Sequence, residues 1–173
     1  MKIATWNVNS LSVRLPQVLD WLAANPVDVL GLQELKLTDD KFPHDALLAA
    51  GYQAVSFGQK TYNGVALLAR SEIRDVVRAN PLVEDEQSRI IAGTVASAAG
   101  DVRVINCYFV NGQEPGSDKF AYKMRWLAGL EAYVKAQLAE HPRLVLVGDF
   151  NVALDDRDSY DPDGLLFTDP HTT

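Results

Sequence analysis

Apolar positions along the chain switch between two periods, and the switches delimit the elements. "KIATWNV" alternates and is rich in β-branched residues, which predicts a strand from about Ile3 to Val8. "RLPQVLDWLAAN" then places Leu15, Val18, Leu19 and Leu22 at helical spacing. Pro16 is tolerable in a first turn, and Asn25-Pro26 ends the helix, because the residue before a proline disfavours the α region. "VDVLGLQE" is a largely apolar strand from Val27 to about Gln33, with Glu34 at its end. Strand, helix, strand predicts a parallel pair joined by a crossover.

Further on, "YQAVSF", "NGVALLA", "IRDVV", "RIIAGTVA" and "VRVINCYF" are short strands separated by polar or glycine-containing breaks, which predicts antiparallel hairpins. "DKFAYKMRWLAGLEAYVKAQLAE" reads as one long amphipathic helix from Asp118 to Glu140, stopped by His141-Pro142. "RLVLVGD" supplies a last strand, and the stretch after Asn151 offers no confident element. There are no repeats and no linker.

Length and charge change this picture little. At 173 residues the chain fits one domain with a sizeable core. Cys107 is the single cysteine, so no internal disulfide can form and a reducing, cytoplasmic setting is expected. No leader pattern and no apolar run long enough for a bilayer is present, so no membrane partner is expected. The net charge of −7 argues mildly against a nucleic-acid partner, unless acids cluster to hold a cation that reverses the local potential. Much of the acidic excess lies in "VEDEQ" at 83–87 and "DDRDSYDPD" at 155–163, which read as solvated loops.

Candidate chemistry sits at strand ends. Asn7 follows "IATW", Glu34 follows "VLGLQ", and Asp149 with Asn151 follows "LVLVG". Side chains at the carboxyl ends of parallel strands converge on a crevice where ligands bind. Singly, Asn7 is an ordinary turn residue and Glu34 an ordinary solvated acid. Together they form an oxygen-rich set without cysteine or nearby histidine, suited to Mg²⁺ or Mn²⁺ rather than zinc. Trp6, Trp21 and Trp126 read as packing residues, Cys107 as a small core residue, and His44 as a loop or helix-start residue.

The ordered set "TWNVNSL", "DVLGLQELK", "GQKTYNGVALL", "RIIAG", "VINCYFVNG", "DKFAYK" and "LVGDFNVA" resembles the exonuclease III and apurinic/apyrimidinic endonuclease branch of the endonuclease/exonuclease/phosphatase (DNase I-like) superfamily, over residues 2 to 163. "WNV" or "LQE" alone would be weak, whereas the set with "GQKTYNGVALL" and "GDFN" is specific. The resemblance implies an α/β fold: half of a four-layer α/β sandwich, one mixed β-sheet with flanking helices, the second half being absent from this sequence. Residues 1–173 would then be a single N-terminal portion with an irregular tail from about 155.

By resemblance the chain would hydrolyse phosphodiesters of double-stranded DNA, 5′ to abasic sites and from 3′ ends, using Mg²⁺ or Mn²⁺. The setting would be the bacterial cytoplasm, with nucleoid DNA as substrate. Asn7, Glu34, Asp149 and Asn151 would form the metal site, with Glu34 the principal ligand. Asp149 would orient or deprotonate the attacking water, Asn151 would hydrogen-bond the phosphate, and Tyr108 would face it as a donor or, if ionised, a charge. Asn9, Arg89, Asn111 and Lys119 would contact DNA or phosphate. The bland readings stay beside these: Tyr108 as strand-end packing, Arg89 as a strand-start cation, Lys119 as a first-turn residue.

The family pattern also carries a further Asp and an Asp-His pair that nothing here matches. Asp169 and His171 in "TDPHTT" are not assigned that role. The expectation is therefore impaired activity, and a bare apolar sheet face that the missing C-terminal half, or a second copy, would cover. A superfamily phosphatase or phosphodiesterase acting on a small molecule or lipid, and a non-catalytic metal-binding or association module, remain as alternatives.

Overall fold

The computed structural model describes residues 1–153, 155–158 and 161. Asp169 and His171, and most of the expected irregular tail, lie outside them. Among the described residues, eight strands and three α-helices follow one another as β1 (Ile3–Asn7), α1 (Leu11–Ala24), β2 (Val29–Gln33), α2 (His44–Ala49), β3 (Gln53–Phe57), β4 (Val65–Ala69), β5 (Ile73–Arg78), β6 (Ile90–Val95), β7 (Val102–Tyr108), α3 (Asp118–Glu140) and β8 (Leu144–Asp149). The long helix has the bounds its periodicity predicts. Ser117 caps it, accepting from the Phe120 amide at 3.1 Å.

The strands do not form one sheet. They divide into sheet A, in the order β1-β2-β4-β3, and sheet B, in the order β5-β6-β7-β8. This corrects the expectation of a single mixed sheet within the α/β class, and the reason is strand parity. Along β2, Val29, Gly31 and Gln33 face one way while Leu30 and Leu32 face the other. Leu30 and Leu32 pack with Leu11, Val18 and Leu22 of α1 and Leu47 of α2. Val29 packs with Val65 and Leu67 of β4 against Ile91, Val102 and Val104 of sheet B. On the far side of sheet B, Ile105 and Cys107 meet Trp126, Leu130 and Tyr133 of α3. The central strands are buried and largely apolar on both faces because each face is covered. The layers run helix, sheet, sheet, helix, so all four are built by this chain.

Among the described residues no apolar sheet face is bare, which corrects the second expectation. Four strands are edges: β1 and β3 of sheet A, β5 and β8 of sheet B. Among the described residues, β1 pairs only with β2 and β8 only with β7, both in parallel. Pro16 also differs from expectation: α1 begins at Leu11, so the proline lies inside the helix rather than in its first turn. Ser12 and Pro16 are both exposed, so the carbonyl deprived of its helical partner faces water.

Candidate active site

Parallel pairing brings four strand ends to one rim of the inter-sheet core. Asn7 ends β1 beside Gln33 of β2, and Tyr108 ends β7 beside Asp149 of β8. Asn7 and Asp149 continue the inward-facing rows Ile3–Thr5 and Val145–Val147, so the pleat aims them between the sheets. Glu34 does not follow by alternation. Gln33 already faces inward, and the next residue of a strand would point toward α1. A left-handed backbone at Glu34 (φ 55°) re-aims it, a conformation that an L-residue adopts only at some cost.

The result is a bridge across the layers. The Asn7 amide nitrogen donates to Glu34 Oε1 at 2.9 Å and to Asp149 Oδ2 at 2.7 Å. The Tyr108 hydroxyl donates to the same Glu34 oxygen at 2.8 Å. Asn7 Oδ1 accepts from the Asn9 amide at 3.0 Å, which fixes which end of the carboxamide meets the acids. Asn7 thus holds the two carboxylates together through its nitrogen. Asn151 is the fourth expected metal residue, and its backbone N–H donates to Asp149 Oδ1 at 3.2 Å while its Nδ2 donates to the Phe109 carbonyl at 3.0 Å.

Two lysines complete the arrangement, and neither was singled out from the sequence. Lys36 Nζ lies 3.1 Å from Glu34 Oε2 and donates to Asn9 Oδ1 at 2.5 Å. Lys123 is wholly buried in α3 and donates to the Asn151 carbonyl at 2.8 Å. Asn151 has φ 47°, so the ammonium holds a left-handed residue two positions beyond Asp149. A signal for Lys123 existed: it lies on the helical stripe of Trp126, Leu130 and Tyr133, where a solvated lysine has no place.

The remaining expected residues are spread around this cluster. Arg89 stands with its guanidinium carbon 4.9 Å from the Tyr108 ring centroid, donates to the Tyr108 and Phe109 carbonyls, both at 3.2 Å, and to Gln87 Oε1 at 2.7 Å. It backs Tyr108. Asn9 is exposed beside Lys36. Asn111 turns its oxygen to the Gln113 amide at 3.2 Å, and Lys119 is exposed in the first turn of α3. Neither Asn111 nor Lys119 hydrogen-bonds the carboxylates.

Charge follows from these contacts. Burial alone pushes the Glu34 carboxyl up, but the hydrogen bonds from Asn7, Tyr108 and Lys36, with the Lys36 charge, outweigh it and hold Glu34 below the usual carboxylate range. Burial first, and then the Glu34 hydrogen bond and charge, pushes the Tyr108 phenol well above the ordinary tyrosine value. Tyr108 is therefore a neutral donor at physiological pH.

Among the described residues no three His, Cys, Asp or Glu side chains gather as a metal-binding group. The donor set nevertheless suits a hard cation. Mg²⁺ is commonly held by one or two carboxylates, with water and phosphate oxygens filling the rest. Glu34 and Asp149 share one amide, and each carboxylate has about four lone-pair positions, more than these contacts use.

A four-layer α/β sandwich with a two-carboxylate cluster at the strand ends defines the class: a fold built to carry an acidic site at the rim of two sheets. Residues 4–172 match the Endonuclease/Exonuclease/phosphatase family, and the chain belongs to it. Exodeoxyribonuclease III of Haemophilus influenzae is 34% identical over 160 residues, covering 91% of this chain and 60% of that protein. The structure of a 3′-5′ exonuclease (NExo) from Neisseria meningitidis superposes with a TM-score of 0.93 at 51% identity, covering 100% of this chain and 66% of that one. NExo from Neisseria is also described as a 3′ phosphatase bound to product DNA hairpin. An AP endonuclease from Archaeoglobus fulgidus superposes with a TM-score of 0.89 at 36% identity, covering 97% and 64% of the two chains. The chain thus spans less than two thirds of the length of the relatives it matches.

Proposed function

We propose that this chain carries the hydrolytic centre of a cation-dependent DNA nuclease of the exonuclease III type, acting on 3′ ends and abasic sites of double-stranded DNA. One observation carries the reading: the Asn7 amide joins Glu34 of one sheet to Asp149 of the other, with the Tyr108 hydroxyl on the same Glu34 oxygen. The Neisseria and Haemophilus relatives support DNA as the substrate class.

Glu34 and Asp149 would hold Mg²⁺ or Mn²⁺, with Asn7 steadying both acids. Such a cation, when bound, offsets negative charge on phosphoryl oxygens and favours an ionised water. Asp149 accepts the proton of the attacking water, since Oδ1 and Oδ2 each retain acceptor capacity. Asn151 donates the second hydrogen of its Nδ2 to the phosphate as charge grows on it, Tyr108 does so by turning its single O–H away from Glu34 Oε1, and both stay neutral. Lys123 holds the Asn151 backbone so that this donor stays aimed. Arg89 keeps the Tyr108 ring in place, and Lys119, Asn9 and Asn111 line the approach for DNA phosphates. The β1 and β8 edges, which carry Asn7 and Asp149, are a surface on which strands of a second copy would add.

The test combines binding and turnover. Titrating the chain with Mn²⁺ should give a saturable site that Glu34→Gln removes. End-labelled duplexes with and without an abasic site should be cut with Mn²⁺, and Asp149→Asn should abolish cutting. Hydrolysis that survives Asp149→Asn, or a preference for a small phosphomonoester over DNA, would overturn the reading.

A further inference from the structure

The candidate site is divided between two layers that touch mainly through apolar side chains. Apolar contacts are non-directional, so Val29, Val65, Leu67, Val102 and Val104 alone do not fix how far one sheet is displaced along the other. Asn7 and Glu34 ride on sheet A, whereas Tyr108 and Asp149 ride on sheet B. Hydrogen bonds of 2.7 and 2.8 Å between them tolerate little displacement.

Behind the site, in the same apolar layer, stands a polar node. Asn106 of β7 is fully buried and faces sheet A, in the row of Val104 and Tyr108. Its Nδ2 donates to the Leu32 carbonyl at 2.9 Å and to the Ala66 carbonyl at 2.8 Å, so the amide straddles two residues directly opposite each other on β2 and β4. Its Oδ1 accepts from Gln33 Nε2 at 2.6 Å, and that nitrogen also donates to Thr5 Oγ1 at 2.8 Å. Gln33 is 1% exposed. Both hydrogens of each carboxamide nitrogen are used, and the node ties β7 to β1, β2 and β4.

Gly31 is the matching recess. A Cβ there would lie 2.9 Å from Asn106 Cγ and Oδ1 and 3.1 Å from Val147 Cγ2. A glycine in a central strand weakens it, and the compensation here is room for a side chain of the other layer. Asn106, Gly31 and Gln33 together form a key and its slot. Burying two carboxamides costs several kcal/mol unless their hydrogen bonds are made, so the node is favourable chiefly at one inter-sheet displacement.

We infer that Asn106, Gln33 and Gly31 set the register between the two sheets, and that Asn106 and Gln33 are thereby positioning residues for the site. Gln33 directly precedes Glu34, and Asn106 lies two residues before Tyr108, so displacement at the node is transmitted to both halves of the bridge. The consequence for cation binding rests on the function proposed above; the register claim does not.

The experiment reads the bridge directly. In the whole chain, NMR hydrogen exchange of the Asn7 side-chain amide reports the bond that spans the layers, without need of cation or turnover. Asn106→Leu preserves shape and removes the polar bonds. It should lower Tm by several degrees, because buried Gln33 and the Leu32 and Ala66 carbonyls lose a partner, while Asn7 amide exchange accelerates at least tenfold and Mn²⁺ affinity falls at least fivefold. Val104→Ala, in the same layer but outside the node, should lower Tm and leave Asn7 exchange unchanged well below melting. If Asn106→Leu does not fold, Gln33→Leu removes one bond of the node and should accelerate exchange about threefold.

Unchanged Asn7 exchange in a folded node variant overturns the inference. Equal acceleration in Val104→Ala does so too, because the effect is then general loosening. Accelerated exchange with no Mn²⁺ binding even in the parent sustains the register claim and removes the cation reading instead.

Discussion

The two ends of β7 handle a buried polar group in opposite ways. At its start Arg103, 2% exposed, places Nε 2.7 Å from Gln137 Oε1, and Nη1 2.7 Å from the Asp75 carbonyl and 3.2 Å from Thr94 Oγ1. Every one of these partners is neutral. At its end Tyr108, a neutral donor, meets Glu34, with Asp149 beside it. A buried guanidinium surrounded by neutral acceptors ties β5, β6 and α3 to β7 and asks for nothing further. Two carboxylates gathered around one amide, with the Lys36 ammonium against Glu34, present charge and lone pairs to a cation. The first pattern reads as architecture and the second as a site.

The largest expected contrast comes from Glu34→Gln. It should weaken Mn²⁺ binding by on the order of 100-fold or more, beyond the ~10–100-fold typical of losing an outer-shell partner, with little change in Tm. Isothermal titration and a thermal melt on one sample measure both. Arg103→Met should do the reverse. It should cost about 2–4 kcal/mol of stability, as neutral acceptors lose a charge-assisted donor, and leave cation affinity unchanged. A denaturant titration beside the same calorimetry checks it. Equal effects of both substitutions on both readouts would erase the distinction between the two ends.

Lys36→Ala should tighten Mn²⁺ binding a few-fold, because a partly exposed ion pair contributes about 0.2–1 kcal/mol and here it competes with the cation. Weakened binding would mean that the lysine orders Glu34 more than it opposes a cation.

The smallest effect concerns Tyr122, which donates to Asp85 Oδ2 at 2.8 Å. Burial first, and then the Asp85 hydrogen bond and charge, push its phenol up to about 12. A folded-state value above the unfolded one, near 10, means its stabilisation is complete below about pH 10 and is lost as pH rises through about 12. Tyr122→Phe should therefore flatten the loss of stability in that window. Tyrosinate absorbance and alkaline unfolding curves measure it.

Periodicity carried most of the elements. The strands and the long helix are legible because alternation and the 3.6-residue stripe are local properties. Which strands hydrogen-bond to which is not local, so β2 and β7, each largely apolar on both faces, read equally well as neighbours in one sheet or as facing layers. The strand-end residues Asn7 and Asp149 are legible for the same local reason. Glu34 was legible as a candidate but not in direction, since its side chain meets the others only through a left-handed backbone that no pattern encodes. Lys36 and Lys123 escaped because an isolated lysine ordinarily reads as solvated. Asn106 and Gln33 escaped because a single amide in an apolar strand carries no period.

Gly148 sets a bound on how this rim can adapt. A methyl group there would fall 2.0 Å from the Cys107 carbonyl oxygen, with the glycine itself at φ 152°. Side chains of every size are shut out, so the tips of β7 and β8 are pinched together as one stiff jaw bearing Tyr108 and Asp149. A bound phosphate would meet that jaw ready-made, and any give during substrate entry has to come from the opposite lip, where Glu34 hangs on a kinked backbone.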